Sequence, residues 1–528
     1  MNHHLVLGVL GTLLAGGTLC PSVYGAERTL PLTVTGKNQA VTDDFNVTVT
    51  DGLHDAALDI PASASGTGGV IQVGSGRIVG NFTQPADEEI MEANGVYIHG
   101  DYTGTVQFAD GLLVSTTAAG RNFNADGIYL TGVEDSYDSQ GNITLEKTAK
   151  VNAAYEKNGR IADAYGIVGK DTTLTLVSNP VQGKFLDLAG LESHFAHMEA
   201  GDGLNISVTS GPAARMYAMA VDAMFYGKIK LGNRNTFTVS AVADDSTTDA
   251  QIDAIYSSHD HPYDEPEQEI ARQRVDVGDD TTLNASLTSS RSNQSTIQVH
   301  GAFLDQTDFS FGDRLTINTQ MTGSGKMGDG TDSVASGMLV WTSQGTIGDD
   351  FRDTVTFSDG AVNRVQGVKV NGLDSESDLS QGTSLAIGKN SRVQLDLSRG
   401  TLEKGVMGYQ VVDGAALRLD NQAEVGVSLK DSQIAGEAEG MNVFGSASLE
   451  AGDNTAIRLQ MENSQVKEAD GLRVSSLGTL GLGKYASVAL QMENSPVDTV
   501  MGINVDRAKA TLGDHASLSI AADGNSAA

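Results

Sequence analysis

The chain has 528 residues, with 34 Lys plus Arg against 67 Asp plus Glu and a formal charge of −33. An acidic surface of this size repels phosphate backbones and anionic headgroups, which argues against nucleic acid and anionic membrane surfaces as partners. Hydrophobic residues make up 39% and charged residues 19%, so a core is affordable and disorder is not the default; 62 Gly, 9 Pro and 5% aromatics point to a turn-rich β protein with a narrow core of small aliphatics.

At the N-terminus, Leu5 to Leu19 form an uncharged, mostly apolar stretch. It is shorter than the ~20 apolar residues of a membrane span. It reads as a secretory signal peptide over residues 1–26, cleaved after Gly25 or Ala26, although Met1-Asn-His-His4 lacks the usual Lys or Arg. The only cysteine, Cys20, falls inside this segment, and bulky Leu19 before it argues against lipidation. The mature chain therefore has no disulfide, no Cys-ligated zinc and no thiol nucleophile. Residues 27–94 are expected to cap the domain and form its first coils, and residues 95–528 carry repeats.

The repeats are marked by Gly, an apolar residue, any residue and Val. Gly440-Met-Asn-Val443, Gly471-Leu-Arg-Val474 and Gly502-Ile-Asn-Val505 are 31 residues apart, and Gln460-Met-Glu-Asn-Ser464 returns 31 residues later as Gln491-Met-Glu-Asn-Ser495. Gly408, Gly367, Gly337 and Gly301 extend the series backward, and weaker copies start at Ala254, Ala218, Gly166, Gly127 and Gly95. A second marker follows each Gly, an alternating apolar pair closed by Gly and a polar residue, as in Phe309-Ser-Phe-Gly312 and Leu480-Gly-Leu-Gly483, with Asp420 taking that place in one unit. Beyond it, apolar pairs such as Phe237 and Val239, Val393 and Leu395, or Ile457 and Leu459 alternate again.

Three short runs of period-two alternation per unit, separated by Gly, Asp, Asn and Ser, spell three strands and no long helix. One unit cannot bury three short apolar faces alone, but stacked units can, each strand pairing with its counterpart in the next coil. The expected fold is all-β, a right-handed parallel β-helix (solenoid) of about twelve coils with side-loop insertions. The polar residues Lys369, Gln410, Arg473 and Asn504 should face solvent. The marker Gly should sit at a corner that needs positive φ or a close approach to the next coil. Three wide gaps carry insertions: Lys184 to Glu199, where Phe185, Leu188, Ala189 and Phe195 recur at helical spacing; His259 to Arg274, rich in His, Pro, Asp and Glu; and Asn371 to Gln381.

A signal peptide, a Cys-free, Gly-rich acidic chain and degenerate Gly-x-x-Val and Leu-x-Leu-Gly units together resemble the passenger region of bacterial autotransporters, the type V secretion proteins, over residues 27–528. The resemblance implies a β-helical stalk on, or released from, the outer membrane of a diderm bacterium, acting in adhesion, aggregation or host contact. Such proteins end in a barrel of alternating strands. None is legible here, so a C-terminal or separate outer-membrane barrel is expected.

No Gly-x-Ser-x-Gly elbow, His-Glu-x-x-His, P-loop or dinucleotide fingerprint appears, and Gly323-Ser-Gly-Lys326 reads as a turn. The pairs Asp279-Asp280 and Asp349-Asp350 follow turn glycines and suit turn chemistry. His99-Gly100 and His300-Gly301 lack the flanking motifs of pectin-cleaving β-helices, and His194 and His197 read as surface residues. The metal candidate is His259 and His261 with Asp264, but Pro262, Pro266 and the surrounding charge suit a solvated insertion better. The sequence reading is therefore a secreted or cell-surface adhesin-like rod without catalytic residues or cofactors, binding host surface or matrix molecules or neighbouring cells. The alternatives are a polysaccharide-degrading β-helix, lyase or hydrolase, and an inert spacer for a head domain.

Overall fold

The computed structural model describes residues 30–523 apart from 36–38, 42–44, 51–54, 62–69, 75, 86–90, 100–104, 132–134, 138–142, 146–164, 195–196, 225–226, 259–272, 291–294, 328–332 and 373–381. The chain winds as a right-handed parallel β-solenoid, the hand that strand-to-parallel-strand crossovers adopt. Each coil lays down three strands in turn: a short first strand such as Lys228–Leu231, a second such as Thr236–Ala243 and a third such as Asp249–Ser258. The first strands form a 14-stranded sheet. The second and third strands form a 26-stranded sheet, joined because Leu113–Thr131 and Thr173–His194 each run through the intervening corner. Among the described residues every ladder is parallel except a small hairpin between Asp135–Tyr137 and Ile143–Leu145. Among the described residues no helix is long and apolar enough to cross a membrane.

Alternation makes this core. On the second strands, Phe237, Leu283 and Ile317 stack in register, and Val393, Val425, Ile457 and Val488 continue the column, all of them buried. Burying each such side chain contributes roughly 1.5–3 kcal/mol, and in register each gain recurs in every coil. Between Ile317 and Val393 the column is interrupted by Asp353.

The corners explain the polar half of the repeat. At the turn from first to second strand, an Asx side chain accepts a hydrogen bond from the backbone N–H of its counterpart one coil on. Asn233 Oδ1 receives Asp279 N–H at 2.8 Å, Asp279 Oδ1 receives Asp313 N–H at 2.9 Å, Asp313 Oδ1 receives Asp349 N–H at 2.8 Å and Asp349 Oδ1 receives Lys389 N–H at 2.8 Å. The next residue in each turn is left-handed, for example Asp280 (φ 58°), Asp350 (φ 61°) and Asn454 (φ 61°), a conformation Asp and Asn tolerate. The repeated Met-Glu-Asn-Ser makes the next corner: Asn463 and Asn494 are left-handed (φ 50° and 48°), and the Ser495 hydroxyl accepts Ser464 N–H at 3.0 Å.

Four expectations need correction. The marker Gly does not have positive φ and is not in a connection between strands. It lies within the third strand, where a Cβ on Gly471 would come 2.3 Å from Val488 Cγ1 and 2.5 Å from the Gly502 carbonyl, so close approach is the reason. In this column the register places Gly190 and Ala220 where the sequence suggested Gly166 and Ala218; Gly166 belongs to the first strand Tyr165–Val168. Lys184 to His194 is strand, not helix. Bending at Gly190 buries several successive residues there, which mimics a helical stripe. Gln410 is not solvent-facing but buried, for a reason that defines the site below.

Candidate functional site

At the Gly/Ala column the period-two alternation breaks. The residues just before the bend and two after it both turn away from the aliphatic core, and the bend brings them face to face. Asn442 Nδ2 donates to Glu439 Oε2 at 2.5 Å across it, Gln366 Nε2 donates to Gln410 Oε1 at 2.8 Å, and Asn504 Nδ2 donates to Asp470 Oδ2 at 3.0 Å. The result is a file of polar side chains along the rod, many of them fully buried, outside the hydrocarbon core.

Its most charged node lies near the N-terminal third. Glu192 and His194 are two residues apart on one strand and so share a face; Asp222 sits beside Glu192 in the next coil. His194 Nε2 lies 2.8 Å from Glu192 Oε1, and one donor atom from each of the three residues falls within 4.8 Å of the others. Tyr129 Oη is 3.4 Å from His194 Nδ1. Burial pushes Asp126 and Asp222 above the ordinary carboxyl range, and the neighbouring Glu192 charge adds to both. Burial also works against Glu192, but the His194 charge and hydrogen bonds with His194 and Asp126 outweigh it and hold Glu192 below its usual value. The flanking Asp187 and Glu92 are raised to about 7 and about 8, chiefly by burial. Burial and mutual repulsion thus work against simultaneous ionisation of these carboxyls, while the His194 charge favours the ionised form of Glu192.

A second node sits toward the C-terminal end. Arg473 pairs with Glu437, with Glu439 at 3.3 Å and with Glu468 at 3.6 Å. Burial still lifts Glu439 to about 8 and Asp470 to about 6. Between the nodes, His300 Nδ1 meets Asp253 Oδ1 at 2.6 Å with both side chains fully buried, beside a run of Tyr256, Phe303 and Trp341 with ring centroids 5.2 and 5.9 Å apart.

The sequence candidates fare unevenly. His259, His261 and Asp264 lie outside the described residues. His99 is hydrogen-bonded to Asp59 at 2.6 Å, and the acidic pairs at Asp279 and Asp349 do serve the turns. His194 is not the surface residue that its sequence context suggests, since it is 1% exposed. A shallow depression of about 110 Å³ over Gly426, lined by Arg392, Gln394, Glu424 and Arg458, is well below the ~300 Å³ of a small-molecule pocket. The acidic node escaped the sequence because its units lack the marker Val: Ser193 and Ala223 stand where Val443 and Val474 stand elsewhere. Compared with protein-family profiles, curated proteins and solved structures, the chain matches none.

Proposed function

We propose that this chain is the stalk or passenger of a secreted, outer-membrane-associated surface protein, presenting side loops for adhesion or self-association without catalysis. One observation carries the reading. The longest connections all leave the rod at the same corner, from third strand to first, departing at Thr131, Ser258 and Asn371 and rejoining at Tyr165, Gln273 and Ser384. A solenoid whose coils hold their register while the points of insertion line one edge is built to display what is inserted there. The autotransporter resemblance and the signal-like N-terminus supply the route, and host surfaces, matrix or neighbouring cells are the partners.

The test replaces residues 133–163, 259–272 and 373–381 separately with short Gly-Ser linkers, and measures circular dichroism and adhesion of displaying cells to host cells and to one another. Loss of adhesion in at least one variant with unchanged strand content supports the reading. Full adhesion in all three, or new reducing ends released from acidic or neutral polysaccharides by the purified chain, overturns it.

A further inference from the structure

We propose that Glu192, His194 and Asp222 form a binding site for one divalent transition-metal ion that ties adjacent coils together on the bent face of the rod. The sheet geometry assembles the donors. Residues two apart on a strand share a face, and the neighbouring parallel strand places its counterpart ~4.8 Å away, so Glu192, His194 and Asp222 form a triangle rather than a line. One donor atom of each lies within 4.8 Å of the other two, and small side-chain rotations close that spacing onto a single ion with bonds of ~2.0–2.2 Å.

A second, independent observation points to a ligand. Asp222 is 3% exposed, and among the described residues its Oδ1 has no hydrogen-bond partner. Leaving a buried acceptor unsatisfied is costly, and such a group in a native fold calls for an explanation. A cation held by the three side chains supplies one. One of the Asp222 carboxylate oxygens belongs to the cluster.

The donor set selects the metal class. One imidazole nitrogen with carboxylate oxygens suits Zn²⁺, Mn²⁺ or Fe²⁺, whereas Ca²⁺ and Mg²⁺ favour all-oxygen shells. The surroundings fit a second shell. Tyr129 Oη lies 3.4 Å from Nδ1 of His194, on the opposite side of the ring from the Nε2 that faces Glu192. Asp126 is hydrogen-bonded to Glu192. Partners of this kind orient metal-ligating His and carboxylate groups.

The site is independent of the display role proposed above, because it lies on described strands and uses none of the side loops. The probe is Zn²⁺ alone, titrated calorimetrically into the chelator-treated full chain, with bound metal counted by elemental analysis after dialysis. One Zn²⁺ per chain is expected. His194→Ala and Asp222→Asn should each weaken binding at least tenfold while leaving the circular dichroism spectrum unchanged, and a His259→Ala/His261→Ala variant should bind as the parent does. Asp222→Asn keeps the side-chain shape, so it decides the matter if His194→Ala fails to fold. No bound Zn²⁺ in the parent, unchanged binding in Asp222→Asn, or loss of binding only in the His259/His261 variant would each overturn the proposal.

Discussion

Asp353 gives the sharpest test of the energetics. It stands in the second-strand column between Ile317 and Val393 and is 1% exposed, and among the described residues neither carboxyl oxygen has a hydrogen-bond partner. The carboxyl fits only because Gly337 opposite has no side chain; a Cβ there would lie 2.0 Å from Oδ2. Burial raises the Asp353 pKa well above the ordinary aspartate value. Asp353→Leu keeps the branching and restores the hydrocarbon column. Two contributions follow. Removing an unsatisfied buried polar group is worth about 1–3 kcal/mol at any pH. The second depends on pH: with the folded pKa raised, Asp353 costs nothing extra in acid, where both states are protonated, and from the unfolded value of ~3.9 upward it favours unfolding by ~1.4 kcal/mol per pH unit until the folded value is reached. The variant should therefore gain about 1–3 kcal/mol at pH 4 and clearly more at pH 7.5. A long solenoid need not melt in one step. Guanidinium midpoints are therefore best paired with hydrogen exchange of the flanking strands Thr316–Thr322 and Arg392–Ser398. A loss of stability at both pH values, or a gain of equal size at both, would refute the reasoning.

Glu439 carries the same sign through a different environment, raised to about 8 mainly by burial and by the Glu437 charge, against the Asn442 hydrogen bond and the Arg473 charge. Stability of the C-terminal coils should fall as pH rises from about 4.5 to 8, and Glu439→Gln should flatten that fall in thermal melts; a slope unchanged by the substitution would contradict it. Asp313→Ala deletes the acceptor for Asp349 N–H and should cost ~1 kcal/mol, while Asp313→Asn should restore most of it, read by denaturation midpoints. Gly471→Val drives a side chain into Val488 Cγ1 and the Gly502 carbonyl and should cost about 1–3 kcal/mol or more, visible as early melting of the last coils; a neutral result would deny the close approach.

Much of the architecture was legible because the solenoid repeats the same physics in every coil. Val393 with Leu395 and Ile457 with Leu459 alternate in sequence and are buried in space, and Met461-Glu-Asn-Ser464 spells inward, outward, left-handed turn and, through the Ser464 hydroxyl that accepts Ser432 N–H, ladder acceptor in order. The bend was not legible. A strand that turns at Gly190 or Gly408 abandons period two, so Gln410 looks like an outward residue and yet is enclosed by its neighbours across the angle. The acidic node was hidden for a related reason. Glu192, His194 and Asp222 are separated by up to 30 residues in sequence and meet only through coil register, in the units where the Gly-x-x-Val marker has decayed.

The stacking of coils is best tested by pulsed electron spin resonance on a chain whose Cys20 is replaced by Ser, with spin labels on the first-strand face. Lys230, Asp276, Ser310, Thr346, Ala386, Arg418, Glu450, Gly481 and Thr511 follow one another in register along the rod. Labels at Lys230 paired with Ala386, Glu450 or Thr511 should report distances rising in even steps of ~4.8 Å per coil, about 19, 29 and 38 Å. Distances that fail to rise in that order, or that cluster at one value, would show that the coils are not piled along a single axis.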